Sequence, residues 1–130
     1  MVTETQATVF VKGTCACMAR VADEDDVYLT QADIASISYS IYKLSGTGER
    51  TAVTGHSAVS LSAADVIFDE MQIGDDAKGW DKDAVGYNFR HVIDISSHEA
   101  FDTIGLYTVE YLILPTSRQR VVLRFSIKAK

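Results

Sequence analysis

The densest run of side chains able to do chemistry is acidic: Asp23-Glu24-Asp25-Asp26, with Asp75, Asp76, Asp81 and Asp83 further along. Alternating carboxylates are what a hard cation takes as ligands, but the first run lacks the mid-loop glycine and closing glutamate of a calcium loop. Between two strand-like segments it reads as a solvated loop, and so does the second group. Cys15 and Cys17 are one alanine apart. On an extended chain they share a face, with Cα atoms roughly 6.5–7 Å apart, the upper edge of disulfide reach. With His56, His91 or His98 they offer zinc donors, yet structural zinc sites use four ligands with wider cysteine pairs. They read as small buried thiols. His91 falls on the apolar side of its segment, which predicts a hydrogen-bonded core histidine. No serine lies in a G-x-S-x-G elbow, no cysteine in a nucleophile signature, and no glycine loop is built to cradle phosphate. The residues therefore predict no enzyme: no catalytic residue, no cofactor and no metal site.

Whatever function remains must be carried by surfaces, and strands position them. Period-two alternation is clearest from Leu106 to Leu114, where Tyr107, Val109, Tyr111 and Ile113 share one face and Thr108 and Glu110 the other. After Pro115-Thr116-Ser117-Arg118, Val121, Leu123, Phe125 and Ile127 face one way, and Val122, Arg124, Ser126 and Lys128 the other. Two such runs around a short polar link predict an antiparallel hairpin. Ile37, Tyr39 and Ile41 alternate with serines, and Tyr87, Phe89, His91 and Ile93 form another run. Shorter strands are expected over Ala7–Val11, Cys15–Val21 and Thr51–Thr54, with Gly13 at a bulge or bend. Ser62-Ala63-Ala64-Asp65 predicts a capped helical turn leading into Val66–Met71, and Ser96–Glu99 has capping-box spacing before Ala100 and Phe101. Asp102 to Val109 resembles a tyrosine corner around Tyr107, against a plain core tyrosine, and Trp80 is assigned to core or rim packing. The expected fold is an all-β, immunoglobulin-like antiparallel sandwich of about seven strands with one or two helical turns, residues 1–130 forming one domain.

Composition narrows the partners. Eighteen acidic against 12 basic residues give a net charge of −6, which repels a phosphate backbone and argues against nucleic acid. No apolar run approaches the roughly 20 residues that span a bilayer, so no membrane association is expected. The N-terminus lacks the basic and apolar stretches of a signal peptide, which predicts assembly in the cytoplasm of the producing cell.

Several segments together carry a resemblance: Gly86-Tyr87-Asn88-Phe89-Arg90-His91; Gly105-Leu106-Tyr107-Thr108-Val109-Glu110-Tyr111; the Pro-containing hairpin and Phe125; and Leu29 to Ile34 followed by Ile37 to Tyr42. Their layout resembles small immunoglobulin-like structural proteins of tailed bacteriophages, and is similar to the N-terminal domain of phage baseplate upper proteins. The resemblance implies a virion protein used for capsid decoration (cement) or as a neck or tail accessory. It would contact coat, neck or tail proteins, and be present in multiple copies or as a homo-oligomer. The chain ends directly after the sandwich, which favours an accessory over a receptor-binding role. Tyr42, Leu44, Leu112 and Leu114 lie on half-apolar faces that a neighbour could cover. The alternative is a carbohydrate- or cell-surface-binding module on the same fold; a row of exposed aromatics beside a groove would favour it, a flat apolar patch would favour assembly.

Overall fold

A computed structural model describes residues 2–73, 85–116 and 119–130. Among them run nine strands: β1 (Val2–Val9), β2 (Ala16–Ala19), β3 (Ile34–Leu44), β4 (Arg50–Ala52), β5 (Val59–Leu61), β6 (Ile67–Gln72), β7 (Tyr87–Val92), β8 (Gly105–Pro115) and β9 (Val121–Ala129). A single α-helical turn, α1 (Ala63–Val66), precedes β6, and a 3-10 turn at Gln31–Asp33 precedes β3.

The strands form two layers. The larger sheet has the order β1-β9-β8-β3-β4, with β5 on β3 as well; the smaller is β2-β7-β6. β1 runs parallel to β9, and the remaining ladders are antiparallel. The split, with the second, sixth and seventh strands in one layer and the third, eighth and ninth in the other, is that of an immunoglobulin-like sandwich.

The alternating runs turn their apolar sides inward as the sequence predicts. Tyr107, Val109, Tyr111 and Ile113 of β8 meet Val121, Leu123, Phe125 and Ile127 of β9 and Ile37, Tyr39 and Ile41 of β3, all buried. Val109 stands where antibody domains place their second cysteine, and both cysteines are free thiols. Aromatic packing bridges the layers in its place. Tyr111 meets Phe89 of the other layer edge to face at 4.8 Å between centroids and Phe125 of its own layer at 5.7 Å, contacts worth about 0.5–1.5 kcal/mol each beyond area burial.

The Tyr107 corner is present. Its hydroxyl donates to the Thr103 carbonyl at 3.0 Å and lies 3.2 Å from Asp102 Oδ1, while Phe101 packs edge to face on its ring at 5.1 Å. The link between the layers is thereby tied to the start of β8.

Three expectations need correction. Val66–Met71 is not helical beyond Val66: Ile67–Gln72 forms β6, with a break in pairing between Ile67 and Gln72. β-Branched Val66 and Ile67 end the helix after one turn, because the extended chain lets Ile67 point into the core. Ser96–Phe101 forms no helix; Asp94 Oδ1 instead accepts the Ser96 N–H at 2.9 Å, a local turn that competes with helix initiation. The first strand spans Val2–Val9 rather than Ala7–Val11, because Gly13 N–H bonds the Phe10 carbonyl at 2.9 Å and closes a turn there.

Candidate functional site

The residues considered for chemistry that fall among the described ones have definite places. Asp23 is buried and acts on its own loop: one carboxylate oxygen accepts the N–H groups of Asp25 at 2.8 Å and Val27 at 3.0 Å. The acidic run is therefore the tip of a small hairpin closed by the Ala22–Tyr28 bridge. Asn88 fastens this hairpin from β7. Its Oδ1 accepts Val21 N–H at 2.6 Å, and its Nδ2 donates to the carbonyls of Val21 at 2.9 Å and Leu29 at 3.0 Å. Asp75, Asp76, Trp80, Asp81 and Asp83 lie outside the described residues.

The cysteines and two of the histidines gather in the core without forming a reactive constellation. Cys15 and Cys17 Sγ are 3.9 Å apart, and Cys17 sits opposite His91 across the β2–β7 ladder. The bond between the thiols lowers the Cys15 pKa, while Cys17 is pushed well up by the same bond and by burial. His91 Nδ1 is 2.7 Å from the Tyr111 hydroxyl, and burial, then the nearby His56, lowers its pKa to about 4. His91 is thus a neutral, hydrogen-bonded, half-buried core side chain. His56 is buried too: Nε2 bonds the His98 carbonyl at 2.8 Å and Nδ1 pairs with the Tyr39 hydroxyl at 2.8 Å. With Nε2–H donating to the carbonyl, Nδ1 is left to accept from Tyr39. Among the described residues no three His, Cys, Asp or Glu side chains are arranged to hold a metal ion.

The outer face of the larger sheet is the surface with the least structural explanation. Register fixes its rows across β3, β8 and β9: Ser38–Leu112–Val122, then Ser40–Glu110–Arg124, Tyr42–Thr108–Ser126 and Leu44–Leu106–Lys128. The second row is charged. Glu110 Oε2 accepts from Arg124 at 3.0 Å and from Arg50 at 3.4 Å, and the Arg50 guanidinium lies 3.9 Å from the Tyr42 ring centroid. Half-exposed ion pairs of this kind add little stability, but they hold the middle of the face in one geometry. Apolar positions flank the belt: Leu112, Val122 and Leu114 on one side, Leu44 and Leu106 on the other. Leu106 is 54% exposed and Leu114 38%. The four residues singled out by alternation, Tyr42, Leu44, Leu112 and Leu114, all lie here.

The Lys130 N–H bonds the Val9 carbonyl and the Val11 N–H bonds the Lys130 carbonyl, which sets Phe10 beside Lys130, while Ile104 immediately precedes Gly105, the partner of Ala129. Phe10 is 80% and Ile104 76% exposed. Beside this corner a groove of about 480 Å³ is lined by Gln6, Thr8, Leu44, Leu106, Ser126 and Lys128. Sequence reading missed the corner because its members are joined only by pairing between distant strand ends. A lone phenylalanine in a turn and an isoleucine before a glycine were the signals available.

Comparison of the chain with family models, curated proteins and solved structures finds no match.

Proposed function

We propose that the chain is a non-enzymatic structural protein of a tailed-bacteriophage particle, a capsid decoration or a neck or tail accessory subunit, working through contacts with coat, neck or tail proteins. The observation that carries the contact role is the outer face of the larger sheet: apolar rows exposing Leu106 and Leu114 on either side of a fixed Arg–Glu–Arg belt. Exposed apolar side chains gathered on one face of a sheet are what a contact with another protein covers. Among the described residues of these rows the one aromatic is Tyr42, and Arg50 stacks on it. A row of open rings, which sugar binding would use, is not built from them. The particle itself is supplied by the layout of residues 29–42 and 86–125, similar to phage immunoglobulin-like proteins. On this reading the protein folds in the host cytoplasm, ends in the virion in several copies, and uses no cofactor.

Mass spectrometry of purified particles, followed by a reconstruction that locates the chain, tests the proposal. The expected result is a multicopy component with the outer face against a neighbouring protein. Absence from particles, together with tight binding on a glycan array, would move the protein to the carbohydrate-binding class.

A further inference from the structure

The two ends of the sandwich differ in charge while both expose apolar side chains. At one end stands the corner made by Phe10, Ile104 and Leu106, with Lys12, Lys128 and Lys130 exposed around it. The acids nearest in sequence to Ile104, Glu99 and Asp102, line a separate groove beside β4 with Thr51, Thr54 and His98. Asp102 follows Phe101, whose carbonyl accepts the Lys12 N–H, so one carboxylate stands near the three lysines and the corner keeps a basic excess. At the other end is the hairpin 22–28. It presents exposed Glu24, Asp25 and Asp26, with Val27 55% and Tyr28 43% exposed beside them.

Topology fixes these features at opposite poles. Leu44 of β3 pairs with Leu106 near the corner, whereas Ile34, just after the acidic hairpin, pairs with Pro115 at the far end of β8. Ten residue steps along β3 separate the poles by about 33 Å. Both are held in shape before any partner arrives: the hairpin by Asp23 and Asn88, the corner by the bonds joining Val11 N–H to the Lys130 carbonyl and Lys12 N–H to the Phe101 carbonyl.

Resting on the reading of the chain as a multicopy structural protein, we propose that copies associate head to tail, the acidic hairpin of one copy seating Val27 and Tyr28 on the Phe10–Ile104–Leu106 corner of the next. Charge selects this occupant. A two-fold contact through either pole would set lysines against lysines or carboxylates against carboxylates. A head-to-tail contact sets Lys12, Lys128 and Lys130 against Glu24, Asp25 and Asp26 and joins the two apolar patches. The groove beside Leu44 and Leu106, about 480 Å³, has room for side chains the size of Val27 and Tyr28. Because the joined surfaces differ, the contact is heterologous and repeats, closing into a ring or continuing as a column. Either outcome suits a particle component present in many copies.

Sedimentation of the whole protein over a range of concentrations tests the inference. Wild type should self-associate, and the association should weaken by at least about tenfold between low and high salt, since the paired charges are screened. One variant, Phe10→Asp with Ile104→Asp, loses the corner; another, Asp26→Asn with Val27→Lys, loses the hairpin, asparagine being tolerated at the positive φ of 62° found at Asp26. Each variant alone should remain monomeric with an unchanged melting temperature. Mixed together they should form a 1:1 dimer and nothing larger, because each retains the end that the other lacks. A monomeric wild type would overturn the head-to-tail contact while leaving the proposed particle role standing. A mixture that stays monomeric, or a hairpin variant that still associates, would overturn it equally. Chemical denaturation of both variants guards against a misfolded control, and if the corner variant does not fold, Lys128→Glu with Lys130→Glu replaces it.

Discussion

Replacing Asn88 by alanine removes three hydrogen bonds that join β7 to the acidic hairpin, and their geometry gives the size of the loss. Val21 N–H, bonded to Asn88 Oδ1 at 2.6 Å in a buried position, is left without a partner. Such an orphan costs about 1–3 kcal/mol. The Leu29 carbonyl loses its bond from Nδ2, a further ~0.5–1.5 kcal/mol. The Val21 carbonyl keeps the Leu29 N–H at 3.1 Å, so the third bond adds little. The sum is about 2–4 kcal/mol, a large share of the roughly 5–15 kcal/mol that holds a domain folded. Urea unfolding measures it directly. Asn88→Asp sharpens the test: one oxygen can still accept Val21 N–H, but the other faces two carbonyl oxygens. A carboxyl so placed has a folded-state pKa above its unfolded value. The folded variant then binds more protons, and its deficit relative to wild type should be small near pH 4 and grow as pH rises to 7. An alanine cost below about 0.5 kcal/mol, within the range of an ordinary surface change, would refute the anchoring role. So would an Asn88→Asp deficit larger at pH 4 than at pH 7.

Other outcomes follow from the same packing. Phe125→Ala should cost about 3–5 kcal/mol, as large buried aromatics do, while Ser126→Ala, facing outward one residue along, should change stability by less than ~0.5 kcal/mol; urea melts of both would expose a register error as equal effects. His91 has a folded pKa of about 4, below its ordinary 6.5. The unfolded chain therefore binds more protons between these values, and the stability His91 contributes is complete above pH 6.5 and lost as pH falls toward 4. The full interval is worth about 3 kcal/mol, and screening at this half-exposed site reduces it to about 1–2 kcal/mol. His91→Gln should flatten the stability curve over that range by the same amount, as measured by denaturation at a series of pH values.

Strands with long alternating runs were legible. In β3, β8 and β9 the inward and outward positions fall where residue type puts them, Thr108 being an outward residue that its neighbours bury, and with them the four face residues Tyr42, Leu44, Leu112 and Leu114. Shorter elements were not. β5 has three residues, too few to show a period. β6 follows a helix of one turn whose expected serine cap is not made, since the Ser62 side chain bonds none of the helix N–H groups, and β-branched residues then divert the chain. Asn88 looked like a polar residue in an apolar strand; its partners at Val21, 67 positions away, exist only once the hairpin folds over β7. The corner of Phe10, Ile104 and Leu106 depends on pairing between both ends of the chain, which no local pattern encodes. Tyr107 was the reverse case, since a tyrosine just inside a strand after Asp102-Thr103 carries its own partners within five positions.

The contact role of the outer face is tested most directly by incorporation of the Leu106→Lys, Leu114→Lys double variant into particles in competition with wild type. Both positions are solvent-facing, so the variant should melt as wild type does. Its share of the particles should fall at least about tenfold, the result of losing only about 1.4 kcal/mol of contact energy. A variant that melts normally and is incorporated as well as wild type would contradict the assignment of this face as the surface through which the protein works.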